Sequence, residues 1–459
     1  MTQFRTTHDT LGEVKIPIDA YYGAQTQRAR DNFPISGLKL PRAFIKAQGL
    51  IKWAAAQAHL DLGELPKNMG QAIVTAAEEV IKGNWDDEFV VDAFQAGAGT
   101  SQNMNVNEVI ASRAAELLGA ERGNYEQVHP NDHVNKAQST NDTIHVAINL
   151  AALDCLEPLL LVLKRLHNTF QKKEEAFAHI IKSGRTHLQD AVPISLGQEF
   201  SGYAHTLHDQ YQRLLQARSG LYEIGLGGNA VGTGINSHPQ YAQRAIQYLA
   251  EKTGFPLRPA QGRFMFMQNT HGAIHLSGAL KELALHLIKI TSDLRLLSSG
   301  PRTGLAEIRL PAVQPGSSIM PGKVNPVMLE MMYMVCAQVI GNHETITIAG
   351  LGSQLEINVM MPVVAHNLLQ SLTLLAHSMD VVEKKCILGI EADEKRCQYW
   401  VEQSLSLATA LNPLIGYEKA AKIAKKAYQE GKRIIDVAKE ETGIDEKVLD
   451  KALDPNQLI

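Results

Sequence analysis

The stretch Leu276-Ser-Gly-Ala-Leu280-Lys-Glu-Leu283-Ala-Leu-His-Leu287-Ile-Lys-Ile290-Thr-Ser-Asp-Leu294-Arg-Leu-Leu297 decides the fold. Its apolar residues Leu276, Leu280, Leu283, Leu287, Ile290, Leu294 and Leu297 recur at alternating steps of 4 and 3. That is a heptad seam on one face of a helix. Leu156, Leu159, Leu163, Leu166 and Phe170 repeat the pattern, as do Leu368, Leu372, Leu375, Met379 and Val382. Each seam asks for a helix of about 20 residues, some ~30 Å long. Narrow seams pack best against near-parallel neighbours at about 20°. The spacing therefore predicts an all-α protein built on a bundle of long helices.

Outward from the seams, period-2 strand patterns are scarce. Pro301, Pro311, Pro315 and Pro321 bracket a long loop after the first seam. Short helical patterns mixed with loops fill the N-terminal part, and Lys-rich amphipathic segments such as Tyr417 to Lys432 fill the C-terminal part. The expected domains are residues 1–136, mostly helical; 137–390, the long-helix bundle; and 391–459, a small helical domain.

The 459 residues are 45% hydrophobic and 20% charged, enough to build a large core. Lys plus Arg (44) and Asp plus Glu (48) leave a net charge of -4, which excludes a general nucleic-acid binder and a polybasic membrane-surface protein. The apolar runs, such as Leu159 to Leu163, are too short for a membrane span. The N-terminus carries no apolar signal core, so a cytoplasmic protein is expected. Cys155, Cys336, Cys386 and Cys397 form no C-x-x-C pair and fit no zinc or iron–sulfur spacing. Buried reduced thiols, and chemistry without a metal or other cofactor, are the expectation.

Five polar segments invite a functional reading. Gly225, Gly227 and Ala230 fit G-x-G-x-x-A, but no tidy helix follows, so a bend allowing close backbone approach fits better than a dinucleotide site. Gly97-Ala-Gly-Thr-Ser-Gln-Asn-Met-Asn-Val-Asn107 opens an apolar helical pattern with clustered donors, either a carboxylate cradle or an elaborate cap. His129-Pro-Asn-Asp-His-Val-Asn-Lys-Ala-Gln-Ser-Thr-Asn-Asp142 opens another. Two donor-rich helix starts suit a ligand with two carboxylates. His129 and His133 complete no metal set. In Gly184-Arg-Thr-His187-Leu-Gln-Asp190, His187 is a candidate acid or base, or simply a solvated side chain. Pro315-Gly-Ser-Ser-Ile-Met-Pro-Gly-Lys-Val-Asn-Pro326, followed by Glu330, misses the phosphate-loop pattern because Val324 follows Lys323. What remains is a Gly-bounded loop with a reactive-type serine, a cation and an amide, or a flexible connector.

This last loop, together with the other polar segments, resembles the signature of the fumarase/aspartase lyases over essentially the whole chain. The nearest resemblance is to the iron-independent (class II) fumarases, with the aspartases close by. The resemblance implies a homotetramer around a central twenty-helix bundle, five long helices per subunit. It implies active sites shared between subunits and acting on a small dicarboxylate, malate or fumarate. It implies Ser317 as the base, with Lys323, Asn325 and Ser318 at a substrate carboxylate. It implies His187, oriented by Glu330, on the leaving-group side. Thr100, Ser139, Thr140, Asn141 and Thr186 would complete the cradle, and His129, Asn131 and Asp132 a second anion site.

The wording splits between two activities. His187, His129-Pro-Asn-Asp132, Gly322 and the run Ala410 to Ala421 resemble fumarases. Ala98, Ser101-Gln102, Ser139-Thr140-Asn141, Asp190-Ala-Val-Pro and Leu296-Leu-Ser-Ser-Gly-Pro lean to aspartase, and Glu126 stands where some fumarases place Arg. Fumarate hydration is the expected activity, with aspartate ammonia-lyase and a non-enzymatic helical scaffold as alternatives.

Overall fold

A computed structural model of the chain describes residues 3–459. Helices dominate. The ones that matter below are α1 (Arg42–Asp61), α2 (Thr100–Leu117), α3 (Thr140–Ala176), α4 (Leu196–Ser219), α5 (His271–Leu297), α6 (Val327–Gly350), α7 (Met361–Lys385) and α8 (Tyr417–Glu430). The five from α3 to α7 are the long ones, at 37, 24, 27, 24 and 25 residues. The three heptad seams lie in α3, α5 and α7. Every seam residue is at most 5% exposed. Burying each such side chain contributes about 1.5–3 kcal/mol, so the seams hold these helices in place.

The chain forms two compact units. Unit 1 comprises Met1–Leu160, Gln212–Ala284 and Ala337–Ala376; unit 2 comprises Leu161–Tyr211, Leu285–Cys336 and His377–Ile459. In unit 1, α1 is buried almost all round, including the polar Gln48, Lys52 and His59. In unit 2, the helices after residue 400, α8 among them, close a core of Val401, Leu407, Leu411, Ile423, Val437 and Leu449, against which Ile181 packs.

Two findings go beyond the seam-based reading. Antiparallel hairpins are present: β1 (Phe4–Asp9) with β2 (Gly12–Pro17), and β3 (Ile181–Thr186) with β4 (Gln189–Ser195). Other strands are two-residue pairs. The expectation about membrane-length apolar segments also needs correction. An 18-residue window of α3 reaches a mean hydropathy of 2.0, long and apolar enough to cross a membrane by composition. Of that window, 67% is buried inside the protein, as expected of a core helix.

Candidate functional site

Unit 1 brings the two donor-rich helix starts together. Ser139 caps α3: its Oγ accepts from Asn141 N at 3.2 Å, while its own N–H donates to Asp142 Oδ1 at 2.8 Å. This reciprocal pairing is a capping box with aspartate at the third position. At the start of α2, Gly99 lies at φ +87°, and a Cβ there would stand 3.0 Å from Ile144 in α3. The glycine therefore permits the close approach. Asn103, one turn after Thr100, donates Nδ2 to Thr140 Oγ1 at 3.3 Å, and Thr143 Oγ1 donates back to Asn103 Oδ1 at 3.3 Å. Thr100 is exposed, Thr140 is buried, and Ser139 and Asn141 are half-buried.

The Gly-rich stretch serves this helix start. Asp142 Oδ2 accepts from Gly227 N and Asn229 N at 2.9 and 3.0 Å. Asn141 Nδ2 donates to Ala230 O at 2.7 Å. Gly227 sits at φ +87°, and a Cβ on it would lie 2.4 Å from that of Ala242. The next helix begins only at Tyr241. The stretch is a bend packed onto α3, as its lack of a following helix suggests.

Behind the two starts lies a buried cation that sequence reasoning missed. Lys52 is 1% exposed, and its ammonium donates to Asn135 Oδ1 and Gln138 Oε1, both at 2.9 Å. Asn135 Oδ1 also accepts from Asn103 and Asn107. Burial pulls the Lys52 pKa down to about 7, with the charge of Asp142 opposing. Burial pushes Asp142 up to about 6, against three backbone N–H donors and the Lys52 charge.

His129, Asn131 and Asp132 also lie in unit 1, at a single π-type turn, Pro130–Val134. His129 Nδ1 accepts from Asn131 N and Asp132 N, both at 3.2 Å, so its ring proton belongs on Nε2 when neutral. Those two amides are thus engaged by the imidazole.

Unit 2 holds the remaining candidates. Thr186 pairs with Gln189, so His187 and Leu188 form a two-residue hairpin tip. Both have positive φ, +56° and +61°. That is the geometry usually given to Asn-Gly, and holding side chains there costs on the order of 1–3 kcal/mol per residue. The tip is exposed. Ser317 Oγ accepts from Ile319 N at 3.2 Å and Met320 N at 2.9 Å. The loop closes on itself: Gly316 N donates to Lys323 O at 2.8 Å, and Asn325 Nδ2 donates to Gly316 O at 2.6 Å. A Cβ on Gly316 would come within 2.6 Å of Lys323 O. Ser318 and Lys323 are exposed, and Glu330 lies half-buried in the first turn of α6. Among the described residues, no hydrogen bond or ion pair joins the hairpin tip to this loop.

A serine hydroxyl receiving two N–H donors is pre-set to carry negative charge. A polar helix-start pair stands in unit 1, and an imidazole, a lysine and this serine stand in unit 2. Residues 12–341 match the family described as "Lyase", and residues 407–459 match "Fumarase C C-terminus". The chain belongs to the fumarase/aspartase lyase family. It is 49% identical to an aspartate ammonia-lyase of a Bacillus species, covering 100% of this chain and 98% of that one. It is 50% identical to the class II fumarate hydratase of Neisseria meningitidis, covering 95% of each. The crystal structure of a class II fumarase from Schistosoma mansoni superposes with a TM-score of 0.96 at 37% identity over 99% of both chains. The protein is a lyase of the helical fumarase fold.

Asp142 was missed as well, and the Ser139-x-x-Asp142 spacing of a capping box is the signal that could have found it. Lys52 had a fainter signal: a single charge inside the apolar run Leu50-Ile-Lys-Trp-Ala-Ala-Ala56.

Proposed function

We propose that this lyase is a fumarate hydratase, removing water from L-malate to give fumarate and running in reverse. The C3 proton of malate passes to the Ser317 oxyanion. The C–H electron pair moves into the neighbouring carboxylate as an aci-carboxylate. The C2–O bond then breaks, and the departing hydroxide takes a proton to leave as water. Lys323, Asn325 and Ser318 hold the aci-carboxylate. Thr100, Ser139, Thr140, Asn141 and Thr186 hold the other carboxylate, and His129, Asn131 and Asp132 form an accessory anion site.

The observation that carries this choice is His187 at the hairpin tip. Hydroxide is a strong base and needs a proton as it departs. An imidazole nitrogen can carry that proton and hand it over, directly or through water. The amino group of aspartate is already an ammonium at neutral pH and leaves as ammonia without an external acid. Glu330 is assigned as the carboxylate that orients the imidazole.

The α6 surface supports assembly: Tyr333, Met334 and Ile348 are 42%, 71% and 65% exposed on a helix whose other side is buried. Large apolar side chains left exposed together on a helix mark an interaction surface. We assign a homotetramer.

The aspartase reading keeps the support of Ala98, Ser101-Gln102 and the similar identity, 49% against 50%, to the Bacillus relative. A side-by-side assay separates the two. Malate should give fumarate, read by ultraviolet absorbance, without added metal, and aspartate should release no ammonia. Ammonia from aspartate with no malate turnover would overturn the proposal.

A further inference from the structure

The hairpin tip holds two side-chain-bearing residues in left-handed backbone, and such geometry persists only where the surroundings over-determine it. On one side, Ser406 Oγ donates to Asp190 O at 2.8 Å. On the other, Arg185, two residues before His187, donates Nη1 to Glu307 Oε1 at 2.8 Å. Glu307 is fully buried. Its backbone is fixed on both sides, its N–H donating to Leu297 O and its carbonyl accepting from Asp393 N. Its second oxygen lies 3.4 Å from the Lys182 ammonium, which is also 3.2 Å from Glu199 Oε2.

A buried ion cluster is a poor way to gain stability, because desolvation offsets much of the attraction. It is a good way to hold a guanidinium in one place, since a buried carboxylate on a fixed backbone offers its Nη1 one well-placed acceptor. The strand it grips is irregular, with a register shift between Ser183 and Arg185. Beyond the shift only Arg185–Asp190 and Thr186–Gln189 pair, so strand pairing alone gives the tip little support.

We propose that Glu307 is a positioning residue: through Arg185 it fixes the left-handed tip that presents Thr186 and His187. The inference rests on the reading of His187 as the leaving-group partner. Glu307 touches no reacting atom and acts only on where the imidazole stands.

The test uses the full chain with Glu307→Gln, Arg185→Lys and the double variant. In Glu307→Gln, kcat should fall about 100-fold, the scale of an ångström-level misplacement, while KM stays within about threefold. Amide hydrogen exchange at residues 186–189 should speed up about tenfold as the tip loosens. Arg185→Lys keeps the charge but lacks the Nη1 that meets Glu307, and should move the same readouts in the same direction. The double variant should be no worse than Glu307→Gln alone, as expected for groups acting through one contact. A folded single variant with wild-type kcat and unchanged exchange overturns the proposal, as does a loss confined to KM. If Glu307→Gln does not fold, Arg185→Lys decides. If the wild type turns over aspartate rather than malate, the hydratase reading fails. The same kcat loss measured on aspartate would still support positioning, and its absence would sink it. If neither substrate reacts, the exchange rates alone decide.

Discussion

Ser139 and Ser317 both sit in polar runs, and they are built in opposite ways. Ser139 is one element of a helix start locked from behind. Its capping partner Asp142 is buried and tied to the Gly227 and Asn229 amides, and a buried ammonium lies in the same polar network. Ser317 is held only by its own loop, whose bonds join Gly316, Lys323 and Asn325. The residues around it are open: Ile319 is 84% exposed. The first region is preorganised by packing, and the second by local backbone geometry. Substitutions should therefore divide, with unit 1 acting on substrate binding and stability, and unit 2 acting on turnover with the fold untouched.

The sharpest way to break this division is Ser317→Ala. Losing the base should cut kcat by about 10²–10⁴-fold, the range for general acid–base groups. Ser317 is half-buried in an open loop, so losing its hydroxyl should cost only about 0.5–1.5 kcal/mol of stability, the scale of a lost hydrogen bond. His187→Asn should also lower kcat severely without lowering the melting midpoint, since asparagine suits the left-handed tip. Steady-state kinetics beside thermal denaturation reads both quantities. Near-wild-type turnover in either variant would remove the site assignment. A large loss of stability would show that unit 2 is not locally self-supported.

Asn141→Ala tests the other half. Its amide binds Ala230 O and stands at the start of α3. A hydrogen bond to a charged group contributes about 1.5–3 kcal/mol, so KM should rise by about 10- to 100-fold, with kcat changed much less. A fall in kcat with KM unchanged would place Asn141 with the chemistry and erase the contrast between the units.

The two regions also differ in how far the sequence disclosed them. Three of the five long helices, α3, α5 and α7, were readable because apolar residues at alternating steps of 3 and 4 line up on one face only when the chain is helical. The helix starts were readable because Ser, Thr and Asn before an apolar pattern satisfy free amides. The hairpin carrying His187 was not, because Ile181-Lys-Ser-Gly-Arg-Thr186 lacks apolar alternation and is broken by a register shift. Its left-handed tip has no glycine or asparagine to announce it. Partners set by tertiary folding, such as Glu307 with Arg185, are 122 residues apart and leave no local trace.

A stability measurement probes the locked region directly, through the pH dependence of Lys52. Burial holds its pKa near 7 in the folded chain, against a reference value of 10.5. Between these values the unfolded chain carries a proton on Lys52 that the folded chain lacks. Where the unfolded state binds more protons, stability rises with pH. Burial of this group therefore weighs against folding most below pH 7 and is progressively relieved toward pH 10.5. The slope is at most about 1.4 kcal/mol per pH unit for one proton. Lys52→Met removes the titration while keeping the length of the side chain. Urea midpoints at fixed protein concentration from about pH 7 to 9.5 should show the wild type gaining on the variant as pH rises. Parallel curves would mean that Lys52 stays protonated throughout, stabilised by Asp142 more strongly than burial opposes it. The polar network of unit 1 would then be an ion pair rather than a cation kept at the edge of neutrality.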